Sequence, residues 1–148
     1  MRKSSKQVTG IMEKTLAIIK PDAVALGYTG AILSAILDNG FRIKAMRQTT
    51  LTRAQAEGFY AVHREKPFFQ GLISFMTEGP VVLLCLERED AIQKWRQVMG
   101  ATNPEKAEEG TIRKRFGTNI ERNATHGSDS PETAAFELSW FFAGWELA

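Results

Sequence analysis

Val81-Val82-Leu83-Leu84-Cys85-Leu86 is an unbroken apolar run rich in branched side chains, and Thr15-Leu16-Ala17-Ile18-Ile19 nearly repeats it. A short run that is apolar at odd and even positions alike reads as a strand buried on both faces. Phe41-Arg42-Ile43-Lys44-Ala45 alternates instead, the mark of a half-exposed strand. Between the first strand and this one, Ala31 to Asn39 sets Ile32, Leu33, Ile36 and Leu37 on one helical face, and Gly40 closes the helix. Later helices are announced by their caps. Thr52-Arg53-Ala54-Gln55 fits a capping box, while Asn103-Pro104 and Ser130-Pro131 each put proline at a first helical position. The last helix is expected from Pro131 to about Phe142, with a short strand ahead of it. The pattern predicts an α+β, ferredoxin-like sandwich: a four-stranded antiparallel sheet covered by helices on one face. A doubly wound parallel sheet is the alternative, weakened because only two strands read as doubly buried.

The chain has 148 residues, 43% hydrophobic and 24% charged, which suits a single soluble globular domain. The net charge of +2 gives no global field for nucleic acid or an anionic membrane. Cys85, the single cysteine, rules out an intrachain disulfide and reads as a buried structural thiol. Cytoplasmic residence is the resulting default. The basic start, Met1 to Gly10, has no apolar core of a secretory signal, and no apolar run approaches a membrane span. Residues 1–12 are expected to be a flexible extension, with Met12 open as a second start, and residues 13–148 to form one domain.

Neither glycine-rich phosphate cradle is present, so phosphate binding would fall to dispersed cations. Lys20 ends the first strand, and Pro21 would aim it off the sheet's edge. Arg96 and Arg113 are the other candidates, since a guanidinium matches phosphate oxygens with its planar fork of donors. Arg96 equally reads as a solvated arginine whose stem covers Trp95 and Met99. The Thr102 hydroxyl fits either a phosphate contact or a local turn. In Lys66-Pro67-Phe68-Phe69, one ring can point inward and the other offer its face to a base, or both can be core.

The strongest local signal is Asn123-Ala124-Thr125-His126-Gly127-Ser128-Asp129-Ser130. It puts a histidine in a polar turn just before a helix start. Gly127 leaves room beside the ring, and Ser128 and Ser130 supply hydroxyls. Glu137, on the following helix, can fold back to hold one ring nitrogen and leave the other to attack. A histidine merely hydrogen-bonded in a loop is the plainer reading. His63, three residues after Tyr60, reads as structural or surface, and a zinc site using both histidines lacks ligand spacing.

These segments, taken in order, resemble the nucleoside diphosphate kinases from Glu13 to about Phe142. The resemblance is carried by Thr15 to Val24, Phe59-Tyr60, Lys66 to Phe69, Gly79 to Val82, Trp95-Arg96, Met99 to Pro104, Gly110 to Arg113 and Asn123 to Ser130. It implies a ping-pong transfer of a γ-phosphate from a nucleoside triphosphate to a diphosphate through phosphohistidine on His126, with broad base specificity. It further implies that Glu137 and Ser128 orient the ring, and that Lys20, Tyr60 and Asn123 belong to the site, Lys20 and Asn123 reaching the sugar. By the same resemblance Arg96, Thr102 and Arg113 bind phosphates, Phe68 and Ile120 flank the base, and Gly127 allows close backbone approach. Mg²⁺ would arrive on the nucleotide phosphates, with no metal ligands on the protein.

Two departures stand out. Arg115 occupies a position where the family usually has an aspartate, and the tail ending at Ala148 lacks the extension that supports hexamers in some relatives. A homo-oligomer, tetramer or hexamer, is expected. A nucleotide-binding regulatory oligomer with little transfer activity is the alternative, opposed by the intact Lys20, Arg96, Arg113, Asn123, His126 and Glu137. A sequence-specific DNA binder lacks both motif and basic surplus.

Overall fold

The computed structural model describes residues 11–148. Residues 1–10 of the expected extension lie outside the described residues, and Met12 already pairs with Glu89 in the sheet. Strands β1 (Met12–Ile19), β2 (Arg42–Thr49), β3 (Val81–Glu89) and β4 (Thr125–Gly127) form one sheet in the order β2-β3-β1-β4. Every pairing is antiparallel, so the parallel alternative falls. The two wholly apolar runs are the two central strands, as burial on both faces requires. β2 and β4 are the edge strands, and the register of β2 against β3 shifts between Ile43 and Ala45. That irregularity interrupts the alternation seen in the sequence.

Along β1 and β3 the side chains divide between two cores. Leu16, Ile18, Val81, Leu83 and Cys85 face one way, toward Phe59, Phe69, Ile73 and Leu138. Those partners come from α3 (Arg53–Phe59), α4 (Phe69–Met76) and α7 (Pro131–Phe141). Ala17, Ile19, Val82, Leu84 and Leu86 face the other way, toward Ile32, Ile36, Trp95, Met99 and Ile112. These lie on α2 (Thr29–Asp38), α5 (Ala91–Met99) and α6 (Ile112–Phe116). The expectation of helices on one face is therefore corrected: helices cover both. A strand apolar at consecutive positions carries an apolar row on each side, and each row must leave water.

Several element ends also differ from the sequence reading. Lys20 is followed by a short helix, α1 (Pro21–Ala25), and the helix expected at Asn103-Pro104 is one 3₁₀ turn, Pro104–Lys106. Asn103 caps that turn by accepting from the Glu105 amide at 3.0 Å. In α2, Ile32 and Ile36 are buried but Leu37 is exposed, so the apolar face is narrower than its spacing suggested. Gly40, at φ +83°, takes the left-handed position after that helix. α7 stops at Phe141 because Phe142 is extended, and a last turn, α8 (Gly144–Leu147), follows. The Arg47 guanidinium of β2 anchors this tail, donating to the Phe141 carbonyl at 2.7 Å and pairing with Glu146 at 2.8 Å.

Candidate active site

His126 is the middle residue of β4 and lies opposite Ile18 of β1, so the sheet fixes its backbone. Its side chain is fixed by α7, which starts from a Ser130–Thr133 capping box with Pro131 in the first turn. This places Glu137 beside the ring, with Oε1 3.0 Å from His126 Nε2. The same oxygen accepts from the Ser128 hydroxyl at 2.7 Å, and Ser128 Oγ accepts from the Leu16 amide at 3.1 Å. The order of donation determines the tautomer. Ionised Glu137 can only accept, so Nε2 holds the ring proton and the lone pair sits on Nδ1. Ser128 thus acts on the ring through Glu137, and Ser130 serves as the α7 cap.

Gly127 also has a packing role, beside its place in the lining of the neighbouring cleft. A Cβ there would stand 2.5 Å from Trp95 Cδ1 and 2.7 Å from Met99 Cε, so the space it leaves is filled by α5. Trp95, fully buried, donates its indole N–H to the His126 carbonyl at 3.1 Å. Trp95→Phe removes that bond and leaves a small void, and should cost about 1–3 kcal/mol of stability. Thermal melting checks it; an unchanged Tm would show that the indole holds nothing in place.

Beside Gly127 opens a cleft of about 600 Å³ whose lining includes Arg96, Thr102, Lys106, Arg113 and Asp129. Arg113 is buried and donates to the carbonyls of Gly100 at 3.0 Å and Thr125 at 2.9 Å. Burial, and then the Arg96 charge, lower its pKa to about 10. Arg96 is half exposed and pairs with Asp129 at 2.6 Å. Neither arginine is simply solvated, and their charges face one space.

Lys20 is held at the junction of β1 and α1. Its amide donates to the Ala124 carbonyl at 2.8 Å, and its ammonium donates to Asn123 Oδ1 at 2.9 Å. Asn123 in turn donates to the Thr102 carbonyl at 3.0 Å. One chain of contacts therefore ties Lys20, Asn123 and Thr102 together. Burial, then the Arg113 charge, depress the Lys20 pKa to about 8, against the opposing pull of Asp22 and Glu121. Tyr60, at the end of α3, is buried, and burial followed by the Glu137 charge push its phenol above the ordinary tyrosine range. It stays a protonated donor at working pH.

The two phenylalanines split. Phe69 joins the core, while Phe68 is 52% exposed and leans on His63 at 5.5 Å between ring centres. His63 lies in a 3₁₀ turn, Ala61–His63, stacked on Tyr60, so it is structural support at the rim of this region. Ile120 is also exposed, in the loop 117–122, and Glu121 of that loop would lie 3.8 Å from a Cβ at Gly71 on α4. The loop and the start of α4 thus come close together. Arg115 lies outside the cleft that Arg96 and Arg113 line. Its guanidinium covers the Phe116 ring at 4.6 Å, beside a second groove lined by Asp38, Lys94 and Glu109.

Sequence reasoning missed three groups. Asp129 pairs with Arg96, Lys106 stands at the cleft, and Asp22 accepts from the Ala124 amide at 3.1 Å. Asp129 and Asp22 lie within the quoted motifs, but no local spacing pointed to their partners. Among the described residues, no three His, Cys, Asp or Glu side chains gather as a metal cluster, and no helix is long and apolar enough to cross a membrane.

A family model described as nucleoside diphosphate kinase matches residues 13–147. The chain is 59% identical over 136 residues to the nucleoside diphosphate kinase of Trichlorobacter lovleyi, covering 92% of this chain and 99% of that protein. The Geobacter sulfurreducens protein of the same name is 58% identical with the same coverage. Among solved structures, the Aquifex aeolicus nucleoside diphosphate kinase superposes with a TM-score of 0.90 at 46% identity, covering 93% of this chain and all of that one. A halophilic nucleoside diphosphate kinase from Halobacterium salinarum, in complex with CDP, gives 0.89 at 36% identity, covering 93% and 92%. A histidine held by a glutamate beside a cationic cleft, on this sheet and with these matches, leaves one assignment: the chain belongs to the nucleoside diphosphate kinase family.

Proposed function

We propose that this chain transfers the γ-phosphate of a nucleoside triphosphate to a nucleoside diphosphate through phosphohistidine on His126. The observation that carries this is the 3.0 Å contact of Nε2 with Glu137, which leaves the Nδ1 lone pair for attack. In the first half-reaction Nδ1 attacks the γ-phosphorus and the bond to the β–γ bridging oxygen breaks, its electron pair leaving with the diphosphate. In the second, a terminal oxygen of the acceptor diphosphate attacks the same phosphorus, and the N–P electron pair returns to Nδ1. Nε2 keeps its proton throughout. As the N–P bond forms, the ring gains positive charge, and the Glu137 carboxylate is already placed to stabilise it.

Arg96, Arg113 and Thr102 bind the phosphates, and Lys20 and Asn123 take the sugar side. Tyr60 donates a hydrogen bond within the site, Gly127 lets the phosphates approach the backbone, and Phe68 with Ile120 flanks the base. Catalysis is then chiefly positioning and charge stabilisation. The cleft lining sets Arg96, Lys106 and Arg113 against Glu108 and Asp129, a net positive wall with Asp129 already engaged by Arg96, which suits a metal carried on the phosphates. Mg²⁺ bound there neutralises phosphate charge. The chain is further read as a cytoplasmic homo-oligomer, tetramer or hexamer, without a specific nucleic-acid partner. The exposed Met46 on edge strand β2 and the exposed Trp145 support self-association.

Incubation with ATP labelled on its γ-phosphate tests the reading. Acid-labile, alkali-stable label on His126, discharged by GDP and by CDP, is expected. If Phe68 contributes stacking, purine and pyrimidine nucleotides should react within about one or two orders of magnitude. Nucleotide binding without label would favour the regulatory alternative.

Lys20 adds a pH dependence. With its pKa lowered to about 8, the free enzyme loses this ammonium as pH rises through that value, so kcat/KM should fall on the alkaline side. Stability responds in the opposite direction. Between about 8 and the ordinary value of 10.5 the unfolded chain holds the Lys20 proton and the folded chain has released it, so Lys20's contribution makes the protein more stable as pH rises. A pH–rate profile flat to pH 10 would exclude a role for charged Lys20.

A further inference from the structure

We infer that Asp22 is a positioning residue for phosphoryl transfer: its buried carboxylate holds Ala124 in a left-handed backbone conformation and so sets where Asn123 and His126 project. Ala124 is fully buried at φ +77°, a region in which the Cβ of an L-residue is crowded. The Thr125 amide donates to the Asn123 carbonyl at 2.9 Å, which closes a three-residue γ-turn centred on Ala124. A γ-turn of this hand is rare and strained, and it persists only where its surroundings enforce it.

The surroundings here are two contacts. Asp22 Oδ2 accepts from the Ala124 amide at 3.1 Å, and the Lys20 amide donates to the Ala124 carbonyl at 2.8 Å. Both polar groups of the strained residue are thus tied to the β1–α1 junction. The second tie is main chain and survives any substitution; the first depends wholly on Asp22. Asp22 Oδ1 is buried with no partner among the described residues, so the carboxylate is a costly group to keep there.

The turn joins two halves of the site. On one side Asn123 accepts from the Lys20 ammonium at 2.9 Å and donates to Thr102 at 3.0 Å. On the other, Thr125 enters β4 opposite Ile19, and His126 follows opposite Ile18. If the turn relaxes toward ordinary φ, the Asn123 side chain and the His126 ring can no longer keep their relative placement. The chemical step depends on the placement of the His126 ring, whereas nucleotide binding is spread over Lys20, Phe68, Arg96, Thr102 and Arg113, with Asn123 one contact among them. A loss chiefly in the chemical step is therefore expected.

This inference rests on the kinase reading above, and single-turnover labelling of His126 by ATP separates the two. Wild-type, Asp22→Ala, Asp22→Asn and the double variant Asp22→Ala/Ala124→Gly are compared, with ADP binding measured by calorimetry. Asp22→Ala should slow labelling about 10²-fold, the scale of a small misplacement of reacting groups, while the ADP Kd stays within about threefold. Glycine takes positive φ without crowding, so the double variant should regain most of the lost rate. Asp22→Asn, which keeps an acceptor for the Ala124 amide, should label at a rate near wild type. Should Asp22→Ala fail to fold, the double variant and Asp22→Asn still decide, since slow labelling in both overturns the inference. So does wild-type labelling by Asp22→Ala, or loss of labelling and ADP binding together. No label on the wild-type chain sinks the kinase reading itself.

Discussion

His126→Ala lowers kcat by about four to six orders of magnitude, the scale seen when a covalent nucleophile is removed. No neighbour can replace it. His63 is packed between Tyr60 and Phe68, and Cys85 is buried in the sheet, where burial raises its thiol pKa to about 11. The variant should still fold. Glu137 keeps its bond from Ser128, so the loss is one hydrogen bond and the edge contact of the ring with Phe59, together about 1–3 kcal/mol. ADP binding should persist because Arg96, Thr102 and Arg113 are untouched. Steady-state kinetics with calorimetric binding separate these effects. Near-normal turnover would end the phosphohistidine assignment.

Arg113→Ala should lower kcat/KM by about two to three orders of magnitude, the cost of deleting one placed charge or donor at a transferring group. It should also reduce stability. The Arg113 fork holds the carbonyls of Gly100 and Thr125, and Thr125 is the first residue of β4. Removing it leaves a buried acceptor without a donor, worth about 1–3 kcal/mol. Arg113→Lys restores a charge but not the two-pronged donor, so it should recover only part of either loss. Parallel kcat/KM and Tm measurements check both effects. Kinetics within threefold of wild type would remove Arg113 from the phosphate site.

The site was legible where its signals were local. His126, Gly127 and Ser128 lie in one motif, and Glu137 follows one strand and two helical turns later, so a helix-start signal was enough to aim it at the ring. Phe68 and Phe69 were read as one ring out and one ring in, or both core, and the structure chooses the first. Arg115, which had no account, stacks on Phe116 away from the cleft lined by Arg96 and Arg113. The one-face expectation failed for an instructive reason: the sequence showed that β1 and β3 were apolar on both sides, which already demanded two covering layers.

Strand identity, the caps at Thr52 and Ser130, the stop at Gly40 and the residues of the phosphate-carrying motif were all set by the sequence on its own. Those features arise from neighbours within one turn or one strand repeat, where spacing alone dictates what meets what. Only the tertiary structure decided that Asp22 holds the Ala124 amide, 102 positions away, and that the Trp95 indole holds the His126 carbonyl, 31 away. Such contacts depend on the register of β1 against β4 and on the packing of α5 beneath them. No local periodicity carries that information, because it exists only after the sheet has closed.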